Sequence, residues 1–193
     1  MGLAATLVAA APSSAEAVSP NLDPQHTRSA VRLGSLTSLA AQRILLGDKV
    51  AAAKFGTDQP IDDPSRERHE LDAVAAMAAR EGVDTDASVR FFRAQIEANK
   101  VVQRGLYALW TEHPGLRPGE RPDLGGEVRP RLDQLTTEIV RELKATQEVR
   151  AAAGCRELLA NSRLSAEVRF RLDALHRRAL TIALRPVCAC ASG

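Results

Sequence analysis

Residues 35–70 read SLTSLAAQRILLGDKVAAAKFGTDQPIDDPSRERHE, a helical run, a break and a second helix start. On the first run Arg43 and Lys54 stand eleven residues apart. Eleven steps of 100° make three turns plus about 20°, so both cations leave one face, about 16 Å apart along the axis. Between them that face carries only Gly47, Val50 and Ala51. Two long cations therefore flank a shallow patch suited to a small dianion; the plain alternative is a solvated basic face. Beyond the break at Gly56, Asp63 followed by Pro64 reads as an N-cap and first helical position. Arg66 then falls in the first turn, with Glu67 beside it and Glu70 one turn on. A cation there opposes the helix dipole, a placement that an anion bound at the helix start would offset.

Working outward, a second helix spans about 64–81, with Leu71, Val74 and Ala78 on one face and Gly82 as its stop. Asp84 caps a third helix reaching about Glu112. Its seam is Val89, Phe92, Ile96, Asn99, Gln103, Leu106 and Trp110, spaced by threes and fours. Asn99 and Gln103 fill two successive slots that should be apolar. Burying an unpaired amide costs on the order of 1–3 kcal/mol, so both need partners. Either they specify a helix pairing, as buried Asn does in coiled coils, or they line a polar pocket; the nearby cations favour the pocket. Residues 113–126, HPGLRPGERPDLGG, form a loop rich in Pro and Gly. A fourth helix covers about 127–153 with the seam Leu132, Thr136, Ile139, Leu143, Thr146, and the same line extends back to Arg129. Most such arginines snorkel to solvent; the alternative, at this helix start after a long loop, is that Arg129 closes over the pocket. A short helical piece follows near 156–162. Ser165 caps a last helix to Leu184 with the seam Val168, Leu172, Leu175, Ala179, Ile182. No segment alternates with period two, so the class is all-α.

The 193 residues suffice for one core, and 26 basic against 24 acidic residues give no basic excess of the kind nucleic acid demands. No Gly-rich phosphate loop and no zinc spacing is present, and the four histidines read as surface residues. The first seventeen residues, MGLAATLVAAAPSSAEA, are small and apolar and end in A-x-A, the pattern of a signal peptide cut after Ala17. No Lys or Arg precedes the apolar run, and that run is too short to span a bilayer. Residues 18–34 read as a flexible lead-in, and 35–190 as one helical domain. Of three cysteines, Cys155 can pair with Cys188 or Cys190, leaving one over. Cys188, nearer the last helix, is the expected partner. Such a bridge closes a loop of about 34 residues and contributes roughly 3–4 kcal/mol on the chain-entropy account.

Taken together, Arg43, Lys54, the PIDDPSRER run and the Asn99/Gln103 pair resemble the all-helical chorismate mutases. The leader, the length, Arg129 after the long loop and the Cys155–Cys188 spacing resemble their exported subclass. The likeness covers about residues 36–188. It implies a bundle of about five to six helices, stapled by one disulfide, that isomerises chorismate to prephenate by a [3,3] rearrangement without metal, cofactor or covalent intermediate. Carried over by position, Arg43, Arg66 and Arg129 hold the two substrate carboxylates. Lys54 and Gln103 donate to the ether oxygen, Asp63 or Glu67 takes the ring hydroxyl, and Glu70 and Asn99 line the pocket. Exported relatives typically carry a hydroxyl residue and Glu where this chain has Asn99 and Gln103, a departure that bears on pH behaviour. The resemblance further implies a homodimer with each site inside one subunit. The leader predicts a secreted or periplasmic protein, free of membrane once that leader is removed, and the charge balance predicts no nucleic-acid partner. Isochorismate–pyruvate lyase on the same fold, a non-catalytic exported helical binding protein and a helical DNA-binding regulator are the alternatives.

Overall fold

The computed structural model describes residues 24–188. The leader with its cut after Ala17, residues 18–23 of the lead-in, and Cys190 lie outside that range. Among the described residues the chain forms seven helices and no strand: α1 (Pro24–Lys54), α2 (Pro64–Glu81), α3 (Thr85–Glu112), α4 (Arg129–Ala145), α5 (Gln147–Ala151), α6 (Cys155–Arg169) and α7 (Ala174–Leu184). A 3-10 turn at Pro114–Leu116 and one π-helical turn at Leu124–Val128 interrupt the α3–α4 connection. No helix of the described part is long and apolar enough to cross a membrane.

The long α1 is the axis of the fold and packs on α3, α4, α6 and α7. Its face Leu33, Leu36, Ala40, Ala41 and Ile44 is fully buried, and α3 adds Phe91, Phe92, Ala98 and Val102 to the same core. Gly105 lets α7 approach α3: a Cβ there would lie 2.6 Å from Leu175 Cδ1. Two caps fix α2 as the sequence suggests. Asp63 accepts from the Arg66 N–H at 3.0 Å. Gly82, with φ of 65°, closes the other end, donating with Val83 to the Ala79 and Ala78 carbonyls. Asp84 caps α3 through the Ala87 N–H.

Four expectations are corrected. α1 begins at Pro24, so residues 24–34 are helix and not lead-in; Leu33 in the core is what holds them. The fourth helix breaks at buried Thr146, whose hydroxyl turns back onto the Glu142 carbonyl at 2.6 Å. Ser165 caps nothing: α6 runs through it unbroken, and its hydroxyl bonds the Asn161 carbonyl. The corner comes later, where Arg171 takes φ of 50° and Leu172 N–H bonds the Glu167 carbonyl. This is the same stop as at Gly82, with an arginine in the left-handed slot, so the glycine that signals such a stop is missing. Asp173 then caps α7, and Val168, placed in the last seam, is exposed on the end of α6. Lastly, His176 is buried, not superficial. It bridges Asp48 of α1 at 2.8 Å and Asp173 at 2.7 Å. His69 and His113 are exposed. The bridge Cys155–Cys188, with Cα atoms 5.8 Å apart, ties the start of α6 to the end of the described chain.

Candidate active site

The nine residues singled out in the sequence line one cavity of about 170 Å³ between α1, α2, α3 and the start of α4. α1 contributes Arg43, Val50 and Lys54; the connection to α2 contributes Gln59, Pro60, Ile61 and Asp63. Arg66, Glu67 and Glu70 come from α2, Gln95, Ile96, Asn99, Lys100 and Gln103 from α3, and Leu124, Arg129 and Leu132 from the α4 side. The volume suits one small molecule.

Arg43 is held from every side. It is 5% exposed, pairs with Glu70, donates to Thr136 Oγ1 at 3.1 Å, and lies 5.4 Å from the centre of the Phe92 ring. Lys54 is half-buried and gives one bond, to the Pro60 carbonyl at 2.8 Å; an ammonium carries three donors, so two remain for a ligand. Burial lowers its pKa, and Arg66 and Arg129 push the same way, against the pull of Asp63. Asp63 uses one carboxylate oxygen as the α2 cap, and Glu67 reaches back to the Asp63 N–H at 3.3 Å.

Arg66 and Arg129 differ from these. Among the described residues neither guanidinium has a hydrogen bond or an ion pair, although both line the cavity. The cavity holds five basic side chains against three acidic ones. Arg43 is matched by Glu70 and Lys100 by Glu67, while Asp63 faces Lys54. Two cations are left over, the complement of a dianion.

The amides form a short chain. Asn99 Nδ2 donates to the Arg43 carbonyl at 3.2 Å, and Gln103 Nε2 donates to Asn99 Oδ1 at 3.1 Å. Gly47 makes the room, since a Cβ there would meet the Asn99 amide at 3.2 Å. Gln103 is buried and its Oε1 has no partner.

Lys100 and Gln95 escaped the sequence reading. Both flank the seam, where a lysine reads as solvated and a glutamine as neutral. Lys100 is 7% exposed and meets Glu67 and Glu97 at 2.9 Å and Asp62 at 3.3 Å. Burial alone would lower its pKa, but these carboxylates outweigh it and hold the ammonium charged. Gln95 Nε2 donates to the Ala183 carbonyl of α7 at 3.2 Å. The sequence from Asp62 to Glu70 carries four acids but also Arg66 and Arg68, so it gives no clear signal that a buried cation faces it.

Residues 35–104 match the family chorismate mutase type II. The chain is 33% identical over 153 residues to the secreted chorismate mutase of Mycolicibacterium smegmatis, an alignment covering 79% of this chain and 84% of that protein. To the secreted chorismate mutase of Mycobacterium tuberculosis it is 29% identical over 157 residues, covering 81% of this chain and 78% of that protein. The crystal structure of chorismate mutase from Burkholderia phymatum superposes with a TM-score of 0.80 at 32% identity, over 84% of this chain and 99% of that one.

Proposed function

The chain belongs to the chorismate mutase family and acts as a chorismate mutase, and from that premise we propose how its cavity turns chorismate into prephenate. The reaction breaks one ether C–O bond and forms one C–C bond within a single molecule that bears two carboxylates. The protein must fold that molecule into its compact reactive shape and stabilise negative charge appearing on the ether oxygen. Arg66 and Arg129, with Arg43 behind them, take the carboxylates and bring the reacting carbons together, the positional part of the rate enhancement. Lys54 and Gln103 donate to the ether oxygen. A single donor aimed at developing charge is typically worth about 10²–10³ in kcat. Asp63 or Glu67 accepts from the ring hydroxyl, with Glu70 and Asn99 completing the wall.

The observation that carries this reading is the surplus of two unpartnered cations in a small-molecule cavity beside a half-buried lysine with free donors. The test is to incubate purified protein lacking residues 1–17 with chorismate in plain buffer and follow the product. Prephenate formation that survives a metal chelator is expected; pyruvate as the product would overturn the reading.

Residues 1–17 act as a signal peptide cleaved after Ala17, and the mature protein works outside the cytoplasm. The support is the leader pattern, the disulfide and the relatives described as secreted. The working form is a homodimer with a whole site in each subunit; in support, one chain supplies all nine candidate side chains.

A further inference from the structure

Gln103 has one hydrogen-bond partner among the described residues, Asn99. Its amide can therefore be turned either way unless Asn99 decides. Asn99 in turn is decided by α1. The Arg43 main-chain carbonyl has no hydrogen to give, so it must face the Asn99 NH₂ and not the Asn99 oxygen. That leaves Asn99 Oδ1 toward Gln103, which must answer with Nε2. An NH₂ has two hydrogens, and only one is spent on Asn99. We propose that Asn99 is a positioning residue: it passes the polarity of the Arg43 carbonyl to Gln103 and so presents the second Nε2 hydrogen to the substrate's ether oxygen. The inference rests on the reading above that Gln103 acts on that oxygen. A Gln103 amide turned the other way would set its own oxygen against the ether oxygen, repelling the charge that grows there. Gly47 belongs to the same device, because its lack of a side chain admits the Asn99 amide against α1.

The relay differs from direct contact in what a double-mutant cycle shows. The four proteins are wild type, Asn99→Ala, Gln103→Leu and the double variant, each assayed for kcat and KM on chorismate. Gln103→Leu is expected to lose about a hundredfold in kcat, as for one donor at a developing oxyanion. Asn99→Ala should lose about tenfold in kcat with KM within about twofold, since nothing it binds in the ground state is removed. In the Gln103→Leu background the same Asn99→Ala change should alter kcat by less than about twofold, because the group it acts through is gone. An equal loss in both backgrounds, or a loss appearing in KM, overturns the relay and makes Asn99 a substrate ligand. Wild-type kcat in Gln103→Leu overturns the ether-oxygen reading and the relay with it. Gly47→Ala covers the case in which Asn99→Ala folds poorly. Alanine favours helix over glycine, and its Cβ would press on the Asn99 amide and on Val102 Cγ1, each at 3.2 Å. That variant should still melt cooperatively but be slower in kcat; a folded, fully active Gly47→Ala counts against the relay.

Discussion

Two faces of α1 border clustered charge, and they do so in opposite ways. On one face Arg43 and Lys54 border a cavity where bases outnumber acids and two guanidiniums have no partner. On the other, Asp48 shares with Asp173 a single buried imidazole, so the cluster is complete without any ligand. Both ring nitrogens of His176 face carboxylates, and only the imidazolium can donate from both. Asp48 raises its pKa most, burial opposes, Asp173 adds to the rise, and the result is about 9. A closed cluster is complete within the fold; an open one, with charge in excess, has cations to spare for the proposed ligand. The difference lies in the balance of charge: each cluster joins a buried member, Arg43 or His176, to exposed ones, Arg66 and Arg129 or Asp173.

The sharpest way to break the contrast is at Lys54. Lys54→Ala should lower kcat a hundredfold or more with KM little changed, because in the proposed role the lysine meets charge that is present only in the transition state. Arg43→Ala should raise KM as well, since it faces a carboxylate present throughout and also leaves Glu70 unpaired. Steady-state kinetics on chorismate separate the two. Near-wild-type rates for Lys54→Ala would make the open cluster as structural as the closed one.

Gln103→Glu sharpens the contrast by pH. The wild-type amide does not titrate, so kcat should be nearly flat from about pH 5 to 8. A glutamate in that slot donates only when protonated, so the variant should keep activity at acid pH and lose it as the carboxylate ionises. Identical pH–rate profiles would remove Gln103 from the ether oxygen.

The smallest effect belongs to the closed cluster. A group whose folded pKa is raised stabilises fully below its unfolded value, about 6.5, and that stability fades as pH climbs toward about 9. His176→Gln should therefore melt earlier than wild type at pH 6, by about 1–2 kcal/mol because both carboxylates are half-exposed and screened. The gap should narrow by pH 9, with kcat untouched at either pH. Melting curves at the two pH values decide it, and a gap independent of pH would mean that the ring contributes only packing.

What could be read from the sequence followed how local the signal was. The α2 and α3 boundaries were legible because Asp63, Gly82 and Asp84 each act on their own helix end. The candidate cavity residues were legible because helical periodicity sets Arg43 with Lys54 and Asn99 with Gln103. The α6–α7 corner was hidden because Arg171 occupies a backbone slot that a glycine would have advertised. His176 and Lys100 were hidden for another reason. Their partners Asp48 and Glu67 lie 128 and 33 residues away, and only the packing of α7 and α2 onto the rest brings them near.

Lys100 carries one further consequence, for the solvent the protein meets. The segment between α1 and α2 is held to α3 by two kinds of ion pair. Arg104 and Asp62 meet at 2.6 Å with about half of each side chain in solvent, where salt at physiological strength screens charges beyond about 8 Å and loosens exposed pairs. Lys100 makes its contacts to Asp62 and Glu67 from a side chain only 9% exposed. Mobile ions reach the Arg104–Asp62 pair and the half-exposed Asp62 end of the Lys100 cluster, and far less the Lys100–Glu67 pair. As salt rises, the wall that carries Asp63 should therefore be held better through Lys100 and Glu67 than through Arg104 and Asp62.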